Sequence, residues 1–259
     1  MRSFELNSKL RFLWPEYSVD LIRIGPKEDG GYLLPNEMLE KIKNVISFGV
    51  NVDWRFEHEL NSKFKIPVNL FDSSSVLRLV ILFLIKGFAG VIILKSNLKE
   101  LRSRLARLYD YFTFFKSINV SLNKLFINEK TAEKIFLNCC TNTLLKCDIE
   151  GWEYDILDMI SLYKDKFDLI IMEIHDVEGK LEKSEAFVNE LKSDFAIVHI
   201  HMNNFYPPSI KGFPYIVEIT FARRNYLSKI GDSPQYLPIE GLDYSNVKNK
   251  PEFRMECPL

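Results

Sequence analysis

The segment from Thr143 to Leu157 is the feature that most restricts how this chain can fold. A short apolar run ends abruptly in the acidic turn Asp148-Ile-Glu-Gly151, and a helical pattern of apolar residues follows at once. This order predicts a β-strand, a tight turn and the start of a helix. Ligands of open α/β sheets bind at the carboxyl ends of the strands, so we expect Asp148 and Glu150 to face a crevice. The alternative is that both carboxylates only cap the helix, which acidic residues often do.

Further apolar runs of strand length alternate with helical patterns along the chain. The strand candidates are 45–48, 66–71, 168–175, 194–201 and 215–221, and the helix candidates include 54–64 and 182–192. Alternation of this kind predicts an α/β fold with a mostly parallel, doubly wound sheet. We expect the tail after residue 225, which contains four prolines, to be irregular.

Composition and charge narrow the classes of function. The chain has 259 residues, of which 47% are hydrophobic, so it can build a sizeable core. A net charge of −1 gives no indication of a nucleic-acid partner. The four cysteines lack the spacing of a zinc site, which favours reduced thiols. The first six residues contain no apolar signal-peptide core, and we therefore expect a cytoplasmic protein.

Residues 76–116 interrupt the alternation. The part from Val76 to Leu94 is almost continuously apolar, but Arg78, Lys86 and two glycines argue against a membrane-spanning helix. The whole segment has eight basic and two acidic residues, a net charge of +6, which leaves −7 for the rest of the chain. Leucines at helical spacing follow. We predict a single domain over 1–259 with an inserted helical subdomain or lid at 76–116.

The role of this insertion stays open at the level of sequence. Its basic residues would suit an anionic substrate, a partner or a membrane surface, and its apolar residues would suit an interface between copies of the chain. A solvated charged face over an ordinary core helix explains the same pattern.

A second unit, between Val45 and Asp72, follows the order strand, glycine loop, helix, strand, acid. In nucleotide-binding βαβ units of this form, the glycine lets the cofactor approach the backbone and the acid binds ribose hydroxyls. Gly49 and Asp72 stand at those positions, although Gly49 is a single glycine and not a glycine-rich fingerprint. Upstream, Asp29-Gly-Gly-Tyr32 is either a close approach to a ligand or a hairpin turn.

Polar side chains also follow the later strands. Glu173 and His175 end one strand, and His199 and His201 end the next, each pair on one side of its strand because side chains alternate. Parallel strands end at a shared edge, so these groups should converge with Asp148. Several histidines beside carboxylates indicate a general base or a metal site.

Seven sequence blocks, taken together, resemble S-adenosylmethionine-dependent methyltransferases of the FkbM type. They are Arg23–Tyr32, Ser47–Glu57, Phe71–Ser73, Lys146–Glu153, Glu173–His175, His199–Phe205 and Glu218–Phe221. The Asp-Ile-Glu-Gly-Trp-Glu block is the most specific of them. The resemblance implies a Rossmann-like, class I methyltransferase sheet with a reversed last strand, and S-adenosylmethionine lying over the strand edge.

The resemblance also implies roles for individual residues. Gly49 and its neighbours, Phe48 among them, would pass close to the cofactor, and Asp72 with Ser73 would hold its ribose. Asp148 would face the sulfonium and its methyl group. The methionine end would be held by Asp29, Gly30, Gly31, Tyr32 and Asp53.

The expected activity is O-methylation of a sugar hydroxyl, in a nucleotide-linked sugar or a precursor of a capsular or lipopolysaccharide. A sugar hydroxyl is a poor nucleophile until its proton is removed. We assign His175 as the base, helped by Asp148 and Glu173. The competing arrangement is Mg²⁺ or Mn²⁺ held by Asp148, Glu173 or His201. His199, His201, Asn203 and Asn204 would bind a polyhydroxylated acceptor.

Two other functions fit the same sequence. One is methylation of an amide nitrogen or of a lipid-linked glycan, with the apolar stretch 76–94 touching a membrane. The other is a non-catalytic binding protein on the same scaffold, which the complete set of acidic and histidine residues argues against.

Overall fold

The computed structural model describes residues 2–92 and 98–257. Its strands are β1 Arg2–Glu5, β2 Tyr17–Ser18, β3 Leu21–Ile24, β4 Tyr32–Pro35, β5 Asn44–Phe48, β6 Val68–Asp72, β7 Val120–Lys124, β8 Thr143–Cys147, β9 Phe167–His175, β10 Phe195–Met202, β11 Ile216–Arg223, β12 Gly231–Asp232, β13 Tyr236–Leu237 and β14 Phe253–Glu256. Its α-helices are α1 Arg55–Phe64, α2 Val76–Ile92, α3 Leu98–Phe114, α4 Glu129–Asn138, α5 Leu157–Leu162 and α6 Leu181–Leu191. Short 3₁₀ helices lie at Ser8–Leu13, Asn36–Lys41, Glu153–Asp155, Lys164–Lys166 and Arg224–Tyr226.

Seven strands form the central sheet, in the order β10-β11-β9-β8-β5-β6-β7. The strands β9, β8, β5, β6 and β7 pair in parallel, whereas β11 is antiparallel to both of its neighbours. The predicted mostly parallel, Rossmann-like sheet with a reversed last strand is therefore confirmed. All five predicted strands are present, each with bounds within two residues of those expected.

The central strands read as continuous apolar runs because both faces of the sheet are covered. Every residue of β8 and β9 is buried. Leu144 and Leu169 pack into one core cluster, whereas Leu145 and Ile170 pack into a second cluster on the opposite face. Side chains of neighbouring strand residues point to opposite faces, so a strand between two helix layers needs apolar residues at every position.

The predicted insertion contains the two helices α2 and α3, which pack against each other between β6 and β7. Helix α3 is tied to the rest of the domain through Asp110, which accepts a hydrogen bond of 2.7 Å from the indole nitrogen of Trp54. Residues 93–97 of the insertion lie outside the described residues. None of the helices within 2–92 and 98–257 has the length and apolar character that crossing a bilayer requires.

The tail after residue 225 is less irregular than expected, because β12, β13 and β14 form short pairings, one of them with β1. It crosses the end of the sheet next to β10 and β11. The imidazole of His199 lies 3.0 Å from Asp243 of the tail, and the amide of Asn204 donates to the carbonyl of Val247 at 3.1 Å. Polar groups of β10 and of the loop that follows it thus hold the tail in place.

The buried pair His199–Asp243 should make stability depend on acid pH. Burial alone would raise the pKa of Asp243, but the charge and hydrogen bond of His199 outweigh it and lower the pKa to about 2. A carboxyl group with a lowered folded-state pKa contributes stability above its unfolded value of 3.8, and this contribution is lost as pH falls through about 2.

We therefore expect Asp243→Asn to remove about 2 kcal/mol of stability at pH 7 and to flatten the loss below pH ~4. Urea denaturation of both proteins from about pH 7 to about pH 2 measures this. Equal slopes of stability against pH in the two proteins would contradict the assignment.

Candidate active site

A cavity of about 1140 Å³ lies at the carboxyl ends of the parallel strands. It is lined by Gly49 after β5, Asp72 at the end of β6, Asp148 after β8 and His175 at the end of β9. Each of these residues follows or ends a strand, so the sheet itself brings together groups that are far apart in sequence.

The loop after β5 approaches its neighbour so closely that only glycine fits. Gly49 has a φ of +78°, and a Cβ atom there would lie 1.6 Å from the carbonyl oxygen of Asp148. One carboxylate oxygen of Asp72 accepts hydrogen bonds from the backbone amides of Val50 and Asn51, both at 2.8 Å. The other accepts from the amide and hydroxyl of Ser74. Although burial opposes it, these donors keep the pKa of Asp72 below its usual value.

Lys146 stabilises the loop after β5 through a hydrogen bond, and sequence reasoning did not single it out. Its ammonium is buried, donates to the carbonyl oxygen of Gly49 at 3.0 Å, and lies 3.8 Å from both Glu57 and Asp148. Burial would lower the pKa of Lys146, but the surrounding carboxylates raise it. The signal that could have found it is a lysine inside an otherwise apolar strand, since a buried charge needs partners.

The turn after β8 differs from the expected immediate helix. A 3₁₀ turn at Glu153–Asp155 precedes the short helix α5. Glu153 is fully buried, and one of its oxygens accepts from the amides of Ile149 and Gly151, both at 3.1 Å. The side chain of Glu153 therefore stabilises the acidic turn by binding two of its backbone amides. The sequence predicted only that Glu153 lies on a helix.

His175 is bound on both sides by carboxylates. Its Nδ1 lies 3.0 Å from Glu153, and its Nε2 lies 3.3 Å from Glu173 and 3.6 Å from Glu150. Burial alone would lower the pKa of His175, but the hydrogen bonds with Glu153 and Glu173 raise it to about 10. The imidazole thus carries a proton and a positive charge at neutral pH.

Two carboxyl groups of the cavity, those of Asp148 and Glu173, have raised pKa values. Burial raises the pKa of Asp148 to about 6, against the opposing effect of Lys146. Burial and the charge of Asp148 raise the pKa of Glu173 to about 8. At neutral pH Asp148 is therefore mostly ionised, whereas Glu173 is mostly protonated. Perturbed groups of this kind, gathered in a cleft, are typical of active sites.

Most of the predicted site residues line the cavity. The three predicted catalytic residues do so, as do Asp29, Gly30, Tyr32, Gly49, Asp53, Asp72, Ser73 and Asn203. Gly31 and Phe48 do not line it. Phe48 is fully buried in the core and packs against Phe71 and Phe136.

Three predicted acceptor-binding residues lie away from the cavity lining. His199, His201 and Asn204 are buried and contact the tail or β11 instead. His201 lies 3.3 Å from Glu218 and 3.6 Å from Glu252. The expectation that they converge with Asn203 on the cavity is not met, because the tail covers this end of β10.

Two groups of possible metal ligands occur among the described residues. One comprises Asp148, Glu153 and His175, and the other comprises Asp29, Glu173 and Glu218, each with ligand atoms within 4.8 Å of one another. The predicted set of Asp148, Glu173 and His201 is not among the groups found in this part of the chain.

Five aromatic side chains that sequence reasoning missed surround the cavity opening. We call Phe126, Trp152, Phe205, Tyr206 and Tyr215 the aromatic rim; all five line the cavity and are 44–52% exposed. Phe126 and Trp152 meet edge to face at 5.2 Å, and Tyr206 contacts both Phe205 and Tyr215 at under 5 Å between ring centres. No periodicity connects them in sequence, since they come from three separate loops.

The sheet topology and the cavity at its strand edge define a Rossmann-like α/β protein of the methyltransferase class. Residues 96–205 match the family model described as the methyltransferase FkbM domain. This match covers less than half of the chain; it confirms the predicted resemblance to FkbM-type methyltransferases and supports the coarser assignment of a methyltransferase. No curated protein sequence matches the chain.

Several solved structures are similar to this chain. An FkbM methyltransferase from Methylobacillus flagellatus KT aligns with a TM-score of 0.38 and 11% identity, over 69% of this chain and 44% of that one. A fibrillarin/Nop5p complex aligns with a TM-score of 0.39 and 11% identity, over 71% and 73% of the two chains. The plantazolicin methyltransferase BamL aligns with a TM-score of 0.37 and 11% identity, over 72% and 81%.

Proposed function

We propose that this protein transfers a methyl group from S-adenosylmethionine to a hydroxyl group of a sugar. The observation that carries the proposal is the aromatic rim beside the ionisable pair of Asp148 and His175. One face of a sugar ring presents only C–H bonds, and aromatic side chains pack against such apolar faces. The expected acceptors are nucleotide-linked sugars or precursors of surface polysaccharides.

The residues of the strand edge fit the cofactor. Gly49 lets the loop after β5 pack directly against the backbone carbonyl of Asp148, which a Cβ atom would prevent, and this close packing shapes the cavity wall where the cofactor would lie. Bound S-adenosylmethionine supplies a methyl group on a positively charged sulfonium, and Asp148 is an ionised carboxylate on the cavity wall. All four acceptor positions of Asp72 are occupied by protein donors, so ribose hydroxyls would replace one of these donors, and the Ser74 hydroxyl is the one free to rotate away.

The protonation states of the two side chains at neutral pH favour Asp148 over His175 as the base. A base has to be unprotonated at the working pH, and the pKa of His175 is raised to about 10, whereas that of Asp148 is about 6. In this proposal Asp148 accepts the proton of the sugar hydroxyl. His175 keeps its own proton, and its positive charge favours the ionised form of Asp148.

A divalent cation is the competing way to activate the hydroxyl. Asp148, Glu153 and His175 are close enough to share one, and oxygen-rich sets of this kind suit Mg²⁺ or Mn²⁺. If EDTA removes activity while leaving S-adenosylhomocysteine binding unchanged, the metal acts at the acceptor. If both are unaffected, Asp148 acts as base without a metal.

A cytoplasmic location belongs to the same proposal. Cys139, Cys140 and Cys147 have free thiols, and Cys139 and Cys140 are adjacent in sequence. Free thiols persist in the reducing environment of the cytosol.

The decisive experiment separates the cofactor from the acceptor. Titration calorimetry with S-adenosylhomocysteine tests the first, and methylation of a panel of nucleotide-linked hexoses, followed by mass spectrometry, tests the second. A sugar acceptor predicts product with at least one of these sugars. Cofactor binding without any methylated sugar would leave a methyltransferase of another acceptor class, such as an amide nitrogen.

Replacing Trp152 by alanine should raise the KM for the sugar acceptor by about tenfold, because the acceptor loses a ring to pack against. Binding of S-adenosylhomocysteine should stay within about twofold, since Trp152 lies at the cavity opening. Tyr236→Ala is the matched control, because this tyrosine is 44% exposed, close to the 52% of Trp152, but does not line the cavity. An unchanged KM in Trp152→Ala would contradict the role of the aromatic rim.

A further inference from the structure

The helices α2 and α3 each expose a stripe of large apolar side chains. On α2 the stripe consists of Ile81, Leu82 and Ile85, the last of them 56% exposed. On α3 it consists of Leu105, Tyr109 and Phe112, with Tyr109 74% exposed. On α3 these positions are three or four residues apart, and on α2 Ile85 lies three or four residues after the adjacent pair Leu82 and Ile81. The three residues of each helix therefore share one side. We call these six residues the apolar stripes.

The opposite sides of both helices are occupied. Val76 and Val80 of α2 are buried, and on α3 Phe114 is buried while Leu108 and Tyr111 pack against the same core cluster. The helices therefore already use one apolar side to pack within the domain. The apolar stripes are additional to what the fold requires, and contiguous exposed apolar surface of this kind usually marks a contact site.

Basic residues accompany the apolar stripes. Arg78 and Lys86 on α2 and Arg102 on α3 are exposed, and residues 76–116 carry a net charge of +6 in a chain whose total is −1. Cationic helices with exposed aliphatic and aromatic residues lie in the interface of anionic membranes, where both features contribute to binding.

We propose that the α2–α3 hairpin docks this protein on the surface of an anionic lipid membrane. The charge argues for lipid over a second copy of the chain, because two such hairpins facing each other would bring like charges together. The apolar stripes enter the interfacial region and the basic side chains contact anionic headgroups. Docking is peripheral, since α2 has 17 residues and carries the charges of Arg78 and Lys86.

Docking at this hairpin would place the cavity close to the membrane. Leu79 of α2 and Arg107 of α3 line the cavity, and Arg107 donates to the carbonyl oxygen of Val52 at 2.7 Å. The docking surface and the cavity thus share the same two helices. An acceptor attached to lipid could reach the cavity without leaving the membrane surface.

The experiment is co-sedimentation of the full chain with vesicles of phosphatidylcholine alone and of phosphatidylcholine with about one third phosphatidylglycerol. We expect binding to the anionic vesicles, at least about tenfold weaker binding to the neutral ones, and a similar loss at about 0.5 M salt. Lys86→Gln combined with Arg102→Gln should weaken binding to anionic vesicles by at least about tenfold.

Ile85→Glu tests the apolar component, and Ile230→Glu is its matched control, because Ile230 is 65% exposed and lies outside α2 and α3. Both substitutions are at exposed positions and should leave the fold intact, which circular dichroism verifies. Ile85→Glu should lose binding by about tenfold and Ile230→Glu should keep it.

Three outcomes would overturn the proposal. They are equal binding to neutral and anionic vesicles, equal losses in Ile85→Glu and Ile230→Glu, and no binding to either vesicle. If the last came with a dimer by light scattering that Ile85→Glu dissociates, the hairpin would be an interface between copies. None of these measurements uses methyl transfer, so their outcome is independent of the proposed activity.

Discussion

The Gly49→Ala protein is expected to lose S-adenosylhomocysteine binding by at least about 100-fold, because the new methyl group collides with the backbone of the neighbouring loop. A Cβ atom at this position would lie 1.6 Å from the carbonyl oxygen of Asp148, a contact that only a shift of backbone can relieve. Such a shift also breaks the hydrogen bond from Lys146 to the Gly49 carbonyl. Calorimetric titration of the variant measures the loss directly.

A control substitution at Gly241 distinguishes the effect of the steric collision from the effect of the left-handed backbone conformation. Gly241 has a φ of +81°, nearly the same as the +78° of Gly49, but nothing lies within 4 Å of a Cβ atom placed there. Gly241→Ala should therefore cost only about 1–2 kcal/mol of stability, from the left-handed backbone, and leave cofactor binding unchanged. If both variants bind S-adenosylhomocysteine as the wild type does, the loop at Gly49 is not part of the cofactor site.

Replacing Glu153 by glutamine is expected to lower kcat by about 100-fold, because His175 loses the charged partner that orients it and holds its proton. The glutamine oxygen can still accept from the amides of Ile149 and Gly151, so the turn should form. Without the negative charge, burial dominates and the pKa of His175 falls from about 10. An imidazole titration followed by NMR measures this fall.

The same substitution should change how stability depends on alkaline pH. A histidine with a raised folded-state pKa contributes stability that is fully present below its unfolded pKa of 6.5 and is lost as pH rises through about 10. The wild type should therefore lose a few kcal/mol across this window, and Glu153→Gln should lose less. Parallel stability curves, together with an unchanged His175 titration, would mean that Glu153 does not control the imidazole.

Residues at strand ends could be placed from sequence because a parallel sheet brings them to one edge whatever the details of packing. Asp148, Asp72 and His175 illustrate this, since each ends or follows an apolar run and all line the cavity. The predicted roles of these residues remain predictions, but their proximity follows from strand order alone.

Residues whose surroundings come from distant segments could not be placed in the same way. His199 and His201 end a strand as His175 does, but a tail segment more than 40 residues further along the chain covers them. Glu153 reads as an ordinary acid of a helix start, and only the pairing of β8 with β9 shows that it lies beneath His175. The aromatic rim is assembled from separate loops that share no sequence pattern.

The tail around Asn246 forms part of the cavity wall, so ligand binding and the ordering of this segment are coupled. Asn246 donates to Asp29 and to Glu218, and together with Val247 it forms part of the cavity wall. A ligand that fills the cavity can therefore bind fully only when the tail is docked, so occupancy and docking stabilise each other. Amide hydrogens of residues 243–250 should exchange more slowly with deuterium when S-adenosylhomocysteine is bound, and a protease that cuts this region should act more slowly on the complex.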